Sequence, residues 1–114
     1  MKKEEHQLQV AIHKFLCLNG IFHFSVPNGG LRNLKVAMAL KAEGALAGVS
    51  DLIVLLPSRC IFVELKNGKA GRQSDSQKEF QNKVESLGFE YLLWRNVEDC
   101  QDFVKKVKKN EKSC

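Results

Sequence analysis

Two strongly apolar segments, residues 48–56 and 60–66, lie on either side of a short turn. Branched and aromatic side chains dominate both segments, which predicts two antiparallel strands joined as a hairpin. Asp51 precedes the core of the first strand, and Glu64 and Lys66 lie near the end of the second. Because residues two apart on a strand point to the same face, Glu64 and Lys66 are predicted to lie side by side.

The length of the turn decides which face of the hairpin Asp51 occupies. An even number of turn residues places Asp51 opposite Glu64 or Lys66 and on their face. Three turn residues place it opposite Leu65, on the other face, unless a bulge intervenes. We therefore predict an even turn or a bulge near Asp51.

Charged groups at the end of a buried hairpin are costly to remove from water. Two carboxylates and an ammonium group in this position usually require a compensating metal ion. The alternative is a solvated hairpin at the protein surface, in which Glu64 and Lys66 form a weak ion pair.

The composition indicates one small domain. The 114 residues suffice for one hydrophobic core, and no linker or repeat divides them. The N-terminus leads into an amphipathic segment and not into an apolar signal peptide, and the longest apolar run is too short to span a bilayer. We therefore expect a cytoplasmic protein with no membrane partner.

The positive charge is concentrated at the C-terminal end. Residues 105–114 contain five lysines and one glutamate, and so supply most of the net charge of +5. We predict a domain over residues 1–104 and a basic tail over residues 105–114. Such a tail suits a polyanion such as nucleic acid, but it is equally typical of a solvated chain end.

The four cysteines are dispersed and form no C-x-x-C motif. Together with the three histidines, they match no sequence spacing typical of a zinc site. We therefore expect reduced thiols and no structural zinc, with Cys17 and Cys60 packed as small apolar side chains.

Hydrophobic periodicity and turn residues predict eight elements in the order α-β-α-β-β-α-β-α. The predicted helices cover residues 4–18, 33–42, 74 or 76 to 88, and 97–109, and the predicted strands cover residues 21–26, 52–56, 60–65 and 89–94. Asn33 is predicted to cap the second helix, and Ser74 or Ser76 the third, with Ser76 and Glu79 as a capping box. This order predicts an α/β fold with the carboxylates on middle strands.

Two polar side chains lie on apolar stripes of the predicted helices. Glu5 shares the stripe of Leu8 and Ile12, and Gln77 shares the stripe of Phe80. Either residue could simply reach solvent from the first turn of its helix, where an acid is also favourable. Alternatively, both helix N-termini lie at the end of the sheet that carries the hairpin carboxylates.

This ordered set of residues resembles the VRR-NUC family of the PD-(D/E)XK nuclease superfamily. The matching pieces are Glu5-x-x-Leu8-Gln9, Pro27-Asn28-Gly29-Gly30, Gly48-x-x-Asp51-Leu52, Glu64-Leu65-Lys66 and Gln77. Ser50 precedes the aspartate in place of the proline of the superfamily name, and a Val-Arg-Arg signature is absent from the sequence. The resemblance implies a PD-(D/E)XK restriction-endonuclease-like α/β fold, with a central mixed sheet flanked by helices.

The resemblance also implies metal-dependent hydrolysis of DNA phosphodiester bonds, with Mg²⁺ or Mn²⁺ as the cofactor. Asp51 and Glu64 would hold the cation, with the carbonyl of Leu65 or Val63 as a further ligand and Glu5 completing the acidic cluster. Oxygen ligands of this kind favour Mg²⁺ or Mn²⁺ over zinc.

Two further residues would act on the reacting groups. By the same resemblance, Lys66 would orient or help deprotonate the attacking water, and Gln77 would position this water or a phosphate oxygen. A metal ion in such a site polarises the phosphoryl group and stabilises the charge of the transition state.

Five polar or basic side chains near the predicted carboxylates are candidates for contacts with DNA phosphates. These candidates are Asn28, Arg32, Lys35, Lys69 and Arg72. Contacts of this type position a duplex without reading its sequence. Each of these residues could instead be ordinary solvated surface charge.

The chain is similar in size to the small members of the VRR-NUC family, which are homodimers that cut branched DNA, in particular four-way (Holliday) junctions. This resemblance implies a homodimer acting on branched DNA in the cytoplasm, at the nucleoid or in a phage-infected host. The alternatives are a non-specific or nicking nuclease of the same fold, a non-catalytic nucleic-acid-binding module, and a protein-interaction domain that uses residues 89–94 as an exposed edge.

Overall fold

The computed structural model describes residues 3–27, 33–69 and 71–112. Its elements are α1 (Lys3–Leu18), β1 (His23–Ser25), α2 (Leu34–Ala42), β2 (Leu52–Leu56), β3 (Arg59–Leu65), α3 (Asp75–Ser86), β4 (Glu90–Trp94) and α4 (Val97–Lys112). This order is the predicted one, and the α/β class is confirmed.

The strands form one mixed sheet in the order β1-β2-β3-β4. The pairs β1–β2 and β2–β3 are antiparallel, whereas β3 and β4 are parallel. A parallel pair needs a crossover connection, which α3 supplies between β3 and β4. The predicted central mixed sheet with flanking helices is therefore confirmed.

The turn between β2 and β3 contains two residues, 57 and 58. The second of them has a positive φ of 59°, which helps the chain to reverse tightly after a proline. Leu52 pairs with Val63, so the same register places Asp51 opposite Glu64. The prediction of an even turn is confirmed, and both carboxylates belong to one face of the hairpin.

The two faces of the sheet have different partners. One face packs on α1 and α4 in the hydrophobic core, whose buried members are Leu8, Ile12, Leu16, Ile21, Leu52, Val54, Ile61, Val63, Leu65, Trp94, Cys100, Val104 and Val107. The opposite face carries Phe62, whose ring packs edge-on against Phe80 of α3 with 5.3 Å between centroids. Glu64 alternates with Val63 and Leu65 along β3 and therefore belongs to the α3 face.

Helix α3 begins two residues earlier than its predicted capping box. The Ser74 hydroxyl accepts a hydrogen bond from the backbone N–H of Gln77, and the side chain of Gln77 accepts one from the N–H of Ser74. The prediction of a box formed by Ser76 and Glu79 is wrong. Ser74 with Gln77 and Ser76 with Glu79 both fit the capping-box pattern, and the helix begins at the first of the two pairs.

The predicted packing of the cysteines differs from the packing in the structure. Cys17 is exposed on α1 and Cys60 is half-buried, so the expected packing of Cys17 in an apolar environment is wrong.

Helix α4 continues to Lys112, with Val107 buried, so the basic residues up to this point belong to a helix. The domain boundary at residue 104 stays a prediction. Among the described residues, no helix has the length and apolar character needed to cross a membrane.

Candidate active site

Glu64 is the buried acid of the sheet, with only 2% of its surface exposed. The Nε2 of Gln77 donates a hydrogen bond of 2.9 Å to its Oε2, and the Nζ of Lys66 lies 3.7 Å from the same oxygen. The other oxygen, Oε1, is buried and has no hydrogen-bond partner among the described residues. Buried polar atoms are nearly always paired, so Oε1 is a position at which a cationic ligand would fit.

Asp51 lies beside this carboxylate, one residue before β2. Its Oδ2 accepts a hydrogen bond of 2.8 Å from the backbone N–H of Leu65. The preceding residue, Ser50, is buried and donates from its hydroxyl to the carbonyl of Leu52. The hairpin therefore holds Asp51 in place through the hydrogen bond of its carboxylate with Leu65 and through the hydrogen bond of the neighbouring Ser50 with Leu52.

The environment of Glu64 favours the protonated acid. Burial is the largest cause, and together with the negative charge of Asp51 and hydrogen bonding with it, burial raises the pKa of Glu64 from 4.5 to about 8. The charge of Lys66 lowers the pKa of Glu64, and the charge of Glu5, the smallest of these influences, raises it. The neutral form of Glu64 can share a proton with Asp51, and the ionised form leaves Oε1 unpaired.

These acids fit a divalent cation. Ionisation of Glu64 needs more positive charge than Lys66 alone provides, and the donor atoms around it are carboxylate oxygens. Oxygen donors of this kind are the ligands of Mg²⁺ and Mn²⁺. The structure thus brings Asp51 and Lys66 to the carboxylate of Glu64, whereas Glu5 acts on this carboxylate only through its charge.

A close backbone approach positions Gln77. Gly48 has φ of 84°, and a Cβ at this position would lie 2.3 Å from the carbonyl oxygen of Ser76 and 2.8 Å from the nitrogen of Gln77. The segment that leads to Asp51 can therefore touch the first turn of α3 only because residue 48 is glycine. The sequence resemblance included Gly48, but no reasoning from the residues assigned it this task.

Arg95 contacts the glycine-containing loop between β3 and α3 (described residues 66–69 and 71–74), although no sequence pattern marks Arg95 as a site residue. Its Nη1 donates to the carbonyls of Gly68 and Gly71 at 2.8 and 2.6 Å. A Cβ on Gly71 would lie 3.0 Å from the Cβ of Lys66, so the loop packs against the lysine of the site. Arg95 reaches this loop because β3 and β4 are parallel and end at one edge, where Leu65 pairs with the residue that precedes Arg95; no local sequence pattern indicates this pairing.

Tyr91 forms a second polar layer on the same face. Its hydroxyl accepts a hydrogen bond of 3.0 Å from the Nε2 of Gln73, which also donates to Gln81 at 2.9 Å. Burial is the main cause that raises the pKa of Tyr91 to about 12; the bond from Gln73 lowers this pKa, and the charges of Glu64 and Asp51 add to the rise. From its sequence, Tyr91 is recognisable only as a strand residue, because nothing local distinguishes a tyrosine beside a site from one in the core.

The structure describes three of the five predicted DNA-contacting residues. Lys69 and Arg72 are exposed in the loop that packs on Lys66, and Lys35 is exposed on α2. Asn28 and Arg32 lie outside the described residues. The structure therefore places two of the five candidates next to the acidic site.

Solved structures with this fold are known. No family sequence model and no curated protein sequence matches the chain. A structure named "VRR_NUC domain protein" superposes with a TM-score of 0.73 over 93% of this chain and 88% of the other, at 16% identity. A second, named "VRR_NUC domain", has a TM-score of 0.68 over 91% of this chain and 97% of the other, also at 16% identity. The chain has the fold of VRR_NUC domains, a PD-(D/E)XK-like fold, and the predicted resemblance is confirmed at the level of the fold.

Proposed function

We propose that this protein is a metal-dependent DNA endonuclease of the VRR-NUC type. The observation that carries the proposal is the buried carboxylate of Glu64, with Oε1 unpaired and Asp51 beside it. A purely structural acid would have both oxygens hydrogen-bonded or would be replaced by an apolar side chain at lower cost. The VRR_NUC fold supports the same assignment.

Asp51 and Glu64 are the proposed ligands of the cation, Mg²⁺ or Mn²⁺. Glu5 would complete the acidic cluster, and the carbonyl of Leu65 is a further candidate ligand. When bound, a divalent cation supplies polarisation of the phosphoryl group and a lower pKa for its bound water. The requirement for positive charge at Oε1 of Glu64 supports this choice of ligands.

Gln77 is proposed to orient the carboxylate of Glu64. Its Oε1 accepts the N–H of Ser74 in the capping box, so its Nε2 has to point away from the helix N-terminus and toward Glu64. This fixes Oε2 of Glu64 and leaves Oε1 for the ligand. Gln77 therefore acts through Glu64 in this structure, where the sequence analysis expected it to hold water or a phosphate oxygen.

Lys66 is proposed to act on the reacting groups. Its ammonium lies 3.7 Å from Oε2 of Glu64 and its side chain is mostly buried by the surrounding loop. A lysine so placed can donate to a phosphate oxygen and orient the attacking water. Lys69 and Arg72, exposed on the adjoining loop, would extend the positive surface along the DNA backbone.

Branched DNA and a homodimer are the finer parts of the proposal. Two symmetry-related cuts across a four-way junction require two active sites, which a twofold dimer supplies. Helix α2 exposes Leu34, Val36 and Met38, which supports a surface for self-association.

The test is the cleavage of a labelled four-way junction beside matched duplex, single strand and flap, with Mg²⁺, Mn²⁺ or EDTA. We expect metal-dependent cutting of the junction by the wild type, loss of cutting in Glu64→Gln, and full cutting in Glu79→Gln. Glu79 is an exposed acid on the same helix as Gln77, so it controls for the change of charge.

Each other outcome selects an alternative. Equal cutting of all substrates would support the nuclease activity and refute the preference for branched DNA. DNA binding by folded protein without cutting under any metal condition would refute the enzyme and leave a non-catalytic binding module. Cutting that survives Glu64→Gln would refute the assigned site.

A further inference from the structure

A second group of potential ligands lies between α1 and β1 and shares no residue with the acidic site. His13 and Cys17 are four residues apart on α1 and so lie on one face of the helix. His23 is the first residue of β1, and one ligand atom from each of the three side chains lies within 4.8 Å of the others. The chain reverses between helix and strand at Gly20, where φ is 68°.

The distances between these atoms are close to those of a tetrahedral metal site. Nδ1 of His13 lies 2.8 Å from Nε2 of His23, and Sγ of Cys17 lies 3.8 to 3.9 Å from the ring nitrogens of His13. Zinc with nitrogen and sulfur ligands at its usual bond lengths separates such atoms by roughly 3.3 to 3.6 Å. His13 and Cys17 are exposed, so rotations of their side chains can make up the difference.

His23 is already oriented as a metal ligand. Its Nδ1 lies 2.8 Å from the carbonyl of Ile21, and because a carbonyl only accepts, Nδ1 carries the proton. Nε2 is then an acceptor aimed at His13. A hydrogen bond from the other ring nitrogen to a carbonyl is the usual support of a histidine that binds metal.

The backbone positions of the ligands are also fixed. Leu8, Ile12 and Leu16 bury the inner stripe of α1 in the core, which holds the face of His13 and Cys17 in register with β1. On the outer side, a groove of about 560 Å³ lined by His6, Gln9, His13, His23 and Phe24, among others, leaves room for a fourth ligand.

We propose that His13, Cys17 and His23 bind one Zn²⁺ ion, with the fourth coordination position open to the groove. A thiolate with two imidazoles suits zinc and other borderline or soft metals, whereas the carboxylates of the acidic site suit Mg²⁺ or Mn²⁺. Binding moves the Nδ1 proton of His13 to its Nε2 and releases the thiol proton of Cys17 to solvent, and the bound ion then links the short edge strand β1 to α1. The cysteine and histidine spacing predicted no zinc site, because the ligands come from a helix and a strand and not from a compact motif.

The test is spectroscopic titration of the metal-free, reduced full-length protein with Co²⁺, followed by competition with Zn²⁺. We expect one Co²⁺ per chain to show the visible bands of tetrahedral coordination and a thiolate charge-transfer band, whereas Co²⁺ at the carboxylates of the acidic site would give no charge-transfer band. Cys17→Ser should abolish the charge-transfer band, and His23→Gln should weaken Zn²⁺ binding by more than about 100-fold. At a zinc concentration about 100 times the dissociation constant, the Tm of the wild type should rise by about 10 °C, and that of Cys17→Ser should not.

Matched variants separate this site from other ligands in the chain. Cys60→Ser removes a half-buried thiol, His6→Gln removes a histidine of the same groove, and Asp51→Asn alters the acidic site; all three should retain the Co²⁺ spectrum. Circular dichroism of metal-free Cys17→Ser should match that of the wild type, because the side chain is exposed.

Three results would overturn the proposal. These are the absence of a charge-transfer band in the folded wild type, a band that survives Cys17→Ser, and a band lost equally in Cys60→Ser. None of these measurements requires nuclease activity, so the metal site stands or falls independently of the proposed function.

Discussion

Replacing Glu64 by glutamine should stabilise the metal-free protein at neutral and higher pH. The substitution keeps the size of the side chain and an oxygen that can accept the hydrogen bond from Gln77, but removes an acid whose charged form the site does not balance. The gain should be absent in acid, where the carboxyl is neutral in both the folded and the unfolded wild type.

The magnitude follows from the pKa of Glu64, which burial chiefly raises from 4.5 to about 8. Between these values the folded state retains a proton that the unfolded state has lost, so the stabilisation from this proton is full below pH 4.5 and is lost as the pH rises through about 8. The difference between the two pKa values corresponds to up to about 5 kcal/mol. This is comparable with the whole free energy of unfolding of a small domain.

The assay is urea denaturation of the wild type and of Glu64→Gln, with EDTA and a reducing agent, at several pH values between 4.5 and 8. The difference in free energy of unfolding should grow with pH in favour of the variant. Added Mg²⁺ should reverse the trend by stabilising the wild type at the high-pH end and leaving the variant nearly unchanged. Curves that stay parallel over this pH range would refute the argument that Glu64 is buried at a cost, and Glu79→Gln should give such parallel curves.

Two further substitutions test how the site is held. Gly48→Ala should lower the free energy of unfolding by more than about 2 kcal/mol in urea denaturation, because the new Cβ meets the backbone of Ser76 at 2.3 Å and φ is positive. Gly20→Ala, which has a positive φ but nothing within 4 Å of the new Cβ, should cost clearly less, and an equal loss would contradict the steric argument. Arg95→Ala should increase proteolysis of the loop at residues 67–73 and lower DNA cleavage by about 10- to 100-fold, since it frees the loop that packs on Lys66. Arg59→Ala, which breaks an exposed ion pair elsewhere on the sheet, should change neither measurement.

Much of the acidic site could be read from local sequence. The apolar, β-rich segments 48–56 and 60–66 predicted the hairpin, and the even turn then placed Asp51 opposite Glu64. Helical periodicity placed Gln77 on the apolar stripe of its helix, and the structure decides that its side chain turns toward Glu64 and not toward solvent. These predictions succeed because turn length, pleat and helical repeat are properties of neighbouring residues, and each propagates along an element without knowledge of the rest of the fold.

The tertiary structure alone decided which atoms lack partners and which distant side chains meet. The unpaired oxygen of Glu64 depends on how α3 and the hairpin close over it. Arg95 reaches the loop only because β4 runs parallel to β3 and ends at the same edge. His23 meets His13 and Cys17 only because the core fixes the rotation of α1 beside β1. The periodicity of one element determines the face on which a residue lies, but the distance between two elements is set by the packing of the side chains between them, and that packing is a property of the whole chain.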